Sequence, residues 1–133
     1  MIYSYKKAIT EFELETVNAE IETFCERNDV PAGKLFSIQL IIEELVTNII
    51  KYGKSENNSE IIEIIIKAET ERISLTVSDN SSAFNPLEEE LPNTGLSATE
   101  RNVGGLGLFL VRKKVKSLSY ENKNGFNILT AEI

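Results

Sequence analysis

Glu44 and Asn48 stand four residues apart in the run Glu44-Leu45-Val46-Thr47-Asn48. On a helix that spacing is about one turn, so both side chains project from one face. A carboxylate there can orient a nucleophile or take its proton, and a carboxamide offers a neutral oxygen to a hard cation such as Mg2+. With successive residues about 100° apart, Glu43, Glu44, Thr47, Asn48 and Lys51 share a polar arc. Ile38, Ile41, Ile42, Leu45, Val46, Ile49 and Ile50 fill the opposite arc, with Leu40 the exception. The same pattern describes an ordinary amphipathic helix with a solvated face, so chemistry needs support from elsewhere in the chain.

Two further stretches supply it. Gly104-Gly105-Leu106-Gly107-Leu108-Phe109-Leu110-Val111 runs glycines straight into an apolar helix start. Glycine lets a ligand approach the main chain closely. The unpaired N–H groups at the start of a helix attract anions. The plain alternative is a turn that merely begins a helix. The spacing is not that of a Walker loop, which closes on Gly-Lys-Ser/Thr, nor of a dinucleotide fingerprint near the N-terminus. Between these two lies Ile73-Ser74-Leu75-Thr76-Val77-Ser78, which alternates as a half-buried strand does and ends in Asp79-Asn80-Ser81-Ser82-Ala83-Phe84-Asn85-Pro86. An aspartate at a strand end can accept a hydrogen bond from an amino group, and the small residues after it leave room for a flat ring. An Asx turn closing the strand is the commoner meaning of such a run.

The order of the three stretches carries more than any one of them. Glu44–Asn48, Asp79–Pro86 and Gly104–Gly107 resemble the ordered boxes of the GHKL ATPases, which include gyrase and the histidine kinases. Glu44-Leu45-Val46-Thr47-Asn48-Ile49-Ile50-Lys51-Tyr52-Gly53 and Gly104-Gly105-Leu106-Gly107-Leu108-Phe109-Leu110-Val111-Arg112-Lys113 are most similar to the stand-alone bacterial anti-sigma factor serine/threonine kinases. The resemblance covers essentially the whole chain. It implies the Bergerat fold and the use of Mg-ATP. Glu44 matches the residue that activates the attacking group, Asn48 the Mg2+ ligand, and Asp79 the carboxylate that recognises the adenine amino group. Gly105 and Gly107 match the glycines that close around the phosphates, and Gly104, Leu106 and Leu108 beside them are expected to bind nucleotide too. Phe84 is assigned to the nucleotide site, Arg101 is a candidate phosphate contact, and Lys51 is either a phosphate contact or a solvent-facing lysine. The implied partners are a small STAS-type anti-sigma antagonist, which is phosphorylated, a sigma factor, and a second copy of the chain. A non-catalytic ATP-binding module, or a nucleotide-free one that sequesters a regulator, is the alternative. The chain departs from the family at Ser81 and Ala83, where glycines are usual. A positive φ at Ser81 would cost about 1 kcal/mol or more.

Bulk properties narrow the field. A length of 133 residues fits one domain, with residues 80–103 as its expected ATP lid. The net charge is -7 and there is no basic stripe, which argues against a nucleic-acid binder. One cysteine, Cys25, and no histidine leave no disulfide framework and no Cys/His zinc site. A kinase that phosphorylates its own histidine is excluded on the same ground. Cys25 falls in an apolar-periodic segment and reads as core. The sequence holds no apolar run of the roughly 20 residues a membrane span needs. It also begins without the basic-then-apolar form of a signal peptide, so a cytoplasmic protein with no membrane association is expected.

The elements that must position these residues follow from periodicity and turn chemistry. They are a strand over 2–8, a helix over 11–28, a turn at 29–33 and a long helix to about 52. Strands Glu60–Ala68 and Arg72–Ser78 form a hairpin around Glu69-Thr70-Glu71. A helix over 105–116 follows the lid. Strands Ser117–Glu121 and Phe126–Glu132 flank the turn signal Asn122-Lys123-Asn124-Gly125. The expected architecture is an α/β two-layer sandwich, with helices on one face of a mixed, mostly antiparallel sheet.

Overall fold

Ile62, Ile64 and Ile66 are fully buried, while Ile61, Glu63 and Ile65 between them are partly or largely open to solvent. That alternation marks one strand with a core face and an outer face. In the computed structural model, which describes residues 1–52, 60–83, 85–88 and 105–133, these isoleucines lie on β2 (Ile61–Ala68) of a five-stranded sheet. The other strands are β1 (Ile2–Ala8), β3 (Ile73–Asp79), β4 (Ser117–Lys123) and β5 (Phe126–Glu132), in the order β1-β2-β3-β5-β4. All four pairings are antiparallel, so the sheet is simpler than the mixed one expected. β2–β3 and β4–β5 are hairpins, and β1 returns to β2 through two helices. The chain crosses from β3 through a third helix to β4, leaving β5 to fill the place between those two parallel strands.

Three helices complete the described chain: α1 (Leu14–Arg27), α2 (Ala32–Tyr52) and α3 (Gly105–Arg112). α1 buries Val17, Ile21 and Cys25, one residue per turn. α2 buries Ile38, Ile41, Ile42, Leu45, Val46 and Ile49, and these join the core faces of the strands in one apolar cluster with Leu75, Val77, Leu129 and Ala131. Burial raises the pKa of the Cys25 thiol, as expected for a core cysteine. Among the described residues, no helix is long and apolar enough to cross a membrane.

Local chemistry explains where elements stop. α1 ends with Asp29 in the left-handed region at φ 54. The Val30 N–H donates to the Cys25 carbonyl at 2.9 Å, closing the wide terminal loop that such a residue allows. The β4–β5 turn uses Asn124 (φ 54) and Gly125 (φ 83), the pair of positive φ values a tight two-residue hairpin requires.

Three expectations are corrected in detail. The helix over 11–28 divides into a 3-10 turn, Ile9–Glu11, and α1. Phe12 between them is extended, its ring edge-on to Tyr5 at 5.7 Å. The helix over 105–116 stops at Arg112, where the Val111 carbonyl accepts from both Lys114 and Val115 in a closing turn. Ile50, assigned to the apolar arc, is 48% exposed. It lies seven residues from Glu43, nearly two whole turns, and therefore shares the direction of that exposed residue.

Candidate functional site

The site lies where β3 ends beside the last turns of α2. Asp79 closes β3 opposite Ile62 of β2 and Asn127 of β5. It is on the core face of the strand and only 8% exposed. A buried carboxylate must be satisfied by donors. Here the Ser81 N–H donates to Asp79 Oδ1 at 3.0 Å, the Ser81 hydroxyl donates to the same oxygen, and Asn127 Nδ2 donates to it at 3.0 Å. The Asx turn considered from sequence is therefore present, and it occupies one carboxylate oxygen. Asn80 secures the same corner by accepting from the Ile61 N–H at 2.6 Å.

Asp79 opens onto a cleft of about 110 Å3. Leu45, Ile49, Val77 and Leu129 give it apolar walls, and Asn48, Ser81, Tyr120 and Asn127 add polar atoms. Flat apolar walls with one fixed carboxylate suit a heterocycle that carries an amino group. Ser81 and Ala83 stand without backbone strain, since positive φ among the described non-glycine residues occurs at Asp29 and Asn124. The departure from glycine is therefore accommodated, and at Ser81 it adds a hydroxyl donor to the aspartate.

Asn48 is 5% exposed, and neither Oδ1 nor Nδ2 has a hydrogen-bond partner among the described residues. The polar arc of α2 is thus not a solvated face at this position: the helix turns its amide inward to the cleft. Leaving a buried amide unpaired costs roughly 1–3 kcal/mol, which folding alone gives no reason to retain. Glu44, one turn earlier, is half-buried, and its Oε2 is screened from solvent. It is not among the residues lining the cleft, so it stands beside the pocket rather than in it. Glu43 is exposed.

The fold thus brings Asn48 and Asp79 to one cleft, with Glu44 adjacent. α3 begins at Gly105, so Gly105, Leu106, Gly107 and Leu108 form its first turn. Leu108 is buried in the apolar core and does not line the cleft. Arg112 at the other end of α3 donates to the Leu87 carbonyl at 2.8 Å, tying the 3-10 turn Pro86–Glu88 to the helix. Phe84, Arg101, Gly104 and the Lys51 side chain lie outside the described residues, as does most of the 80–103 segment. The apolar lining and two polar residues of the cleft, Asn127 and Tyr120, were not anticipated. The signal for Asn127 was legible: it is a polar residue in the same alternating phase as Leu129 and Ala131.

A profile of the histidine kinase-like ATPase domain matches residues 8–133. The chain belongs to the histidine kinase-like ATPase family. Membership implies the use of ATP, which the cleft's carboxylate and orphaned amide suit. Within curated proteins, the chain is 28% identical over 95 residues to the serine/threonine-protein kinase BtrW of Bordetella bronchiseptica. That match covers 71% of this chain and 67% of BtrW. It is also 28% identical over 96 residues to the serine-protein kinase RsbW of Staphylococcus aureus, covering 68% of this chain and 60% of RsbW.

Proposed function

We propose that this member of the family binds Mg-ATP in the cleft and transfers its γ-phosphoryl group to a serine or threonine of a small partner protein. The observation that carries the reading is Asn48, a buried amide whose two polar atoms lack partners in the wall of a cleft that also holds a buried aspartate. The names of the kinases BtrW and RsbW support the reaction class.

Each residue has a defined task in this reading. Asp79 accepts from the adenine amino group through the oxygen its own turn leaves open. The Asn48 side-chain oxygen is a hard, neutral ligand fitted to Mg2+. Asn48 is the residue of the cleft that would hold the ion. When bound, Mg2+ neutralises phosphate charge. The first N–H groups of α3 would bind the phosphates. Glu44 orients the partner's hydroxyl and takes its proton as the new oxygen–phosphorus bond forms and the bond to ADP breaks. Phosphoryl transfer depends chiefly on positioning and charge neutralisation, so this inventory is chemically sufficient.

The proposed substrate is a STAS-type anti-sigma antagonist, with a sigma factor as the regulated partner and a homodimer as the working state in the cytoplasm. Residues 80–103 act as the ATP lid, with Lys51, Phe84 and Arg101 in contact with nucleotide, in one domain spanning 1–133. Calorimetry with ATP, with and without Mg2+, tests the site, and the expected result is Mg2+-dependent binding. Incubation with ATP and the antagonist should then yield phosphoserine or phosphothreonine. Binding without phosphorylation of any antagonist would reduce the protein to an ATP-binding module, and absence of binding would reject the site.

A further inference from the structure

Asn127 is 6% exposed and lies on β5 directly opposite Asp79 of β3 on one side and Asn122 of β4 on the other. A side-chain amide can be placed in two orientations that exchange oxygen and nitrogen, and its neighbours decide between them. Here they agree. On one side, Asp79 Oδ1 at 3.0 Å, the Ser82 carbonyl at 3.1 Å and the Ser81 carbonyl at 3.3 Å are acceptors that demand the NH2 group. On the other, the Tyr120 hydroxyl and Asn122 Nδ2 at 3.1 Å donate to Oδ1.

The consequence reaches the cleft. With the Ser81 N–H, the Ser81 hydroxyl and Asn127 Nδ2 all directed at Asp79 Oδ1, that oxygen is fully used. Among the described residues Oδ2 receives no hydrogen bond, so rotation of the carboxylate is locked with a free acceptor available to the ligand. An ionised carboxylate oxygen can only accept. It pairs with an amino group and rejects a carbonyl oxygen at the same place.

We propose that Tyr120 and Asn127 form a positioning relay that sets the nucleobase preference of the site, Tyr120 acting through Asn127 and Asn127 through the Asp79 carboxylate. The relay rests on the nucleotide-binding reading above and adds to it two residues and a direction of action. Tyr120 polarises and orients the amide, the amide holds Oδ1, and the preference for an amino-bearing base over a carbonyl-bearing one follows from the oxygen left over.

The test compares ATP with inosine triphosphate, which carries a carbonyl where adenine has its amino group. Binding of both is measured by calorimetry on the wild type, Tyr120→Phe, Asn127→Ala and the double variant, with melting of the nucleotide-free proteins as the control for folding. The wild type should prefer ATP. Asn127→Ala should cut the ATP-to-inosine-triphosphate affinity ratio by about tenfold and Tyr120→Phe by about threefold, the scale of one and a fraction of a buried hydrogen bond. Because the two act in series, the double variant should be no worse than Asn127→Ala alone. A wild-type preference that survives both single substitutions overturns the relay, as do losses that add in the double variant. Should Asn127→Ala fail to fold, Tyr120→Phe decides alone, and an unchanged ratio overturns the proposal. A wild type that binds neither nucleotide overturns the nucleotide reading and the relay with it.

Discussion

Two stretches of interior lie along the same helix and follow opposite rules. In the first, Ile38, Ile41 and Ile42 of α2 belong to a cluster with Ile62, Ile64, Ile66 and Leu75 that is closed to solvent. In the second, the last turns of α2 bury Asn48 with its amide unpaired, beside an aspartate and an asparagine tied together across two strands. The first region is what hydrophobic burial alone would build. The second carries polar groups whose desolvation is offset only partly within the protein. Such an imbalance is tolerated where a ligand completes the bonding, and at Asn48 it coincides with the cleft beside Asp79.

The largest expected effect lies in the apolar region. Ile64→Ala removes a fully buried side chain from the middle of β2 and should destabilise the protein by about 2–5 kcal/mol in denaturant melts. ATP affinity of the folded fraction should be unchanged. A large loss of affinity would mean that the two regions are not separable.

The next test lies at the edge of the polar half. Glu44→Gln preserves size and removes basicity, so phosphotransfer to the partner should fall by about 10²-fold or more while ATP binding persists. Glu43→Gln, at an exposed neighbour, should leave the rate near wild type. Equal rates in all three proteins would remove Glu44 from catalysis.

The smallest effect sharpens the contrast most. Asn48→Leu replaces an unpaired amide with an apolar group of similar size in a wall that already holds Leu45, Ile49 and Val77. The nucleotide-free protein should gain about 1 kcal/mol of stability, and the Mg2+ dependence of ATP affinity should disappear. A melting temperature below wild type would show that the amide contributes to folding, and the division between the regions would fail there.

Much of this was legible in the chain. The alternation in Ile73–Asp79 and the turn pair Asn124-Gly125 follow from side-chain period and backbone sterics, which act over a few residues. The one-turn spacing of Glu44 and Asn48 is equally local. Less legible were the direction of Asn48 and the exposure of Ile50, because an angle around a helix axis becomes inside or outside only once the packing neighbours are known. The break at Phe12 likewise depends on the Tyr5 ring from another element.

The order of residues sets the phases: which faces are apolar, where the chain must turn, and which side chains can hold a proton, a cation or an amino group. It even contains the misfit at Asn127, a polar residue in an apolar phase. What that misfit meets depends on the folded sheet. Strand order β3-β5-β4 sets Asn127 against Asp79, 48 residues away, and within reach of Tyr120. Period and propensity act through neighbours in the chain, whereas strand order is chosen by the burial of the whole sheet. A hydrogen-bond partner across the sheet is therefore a property of the fold and not of either residue's own segment.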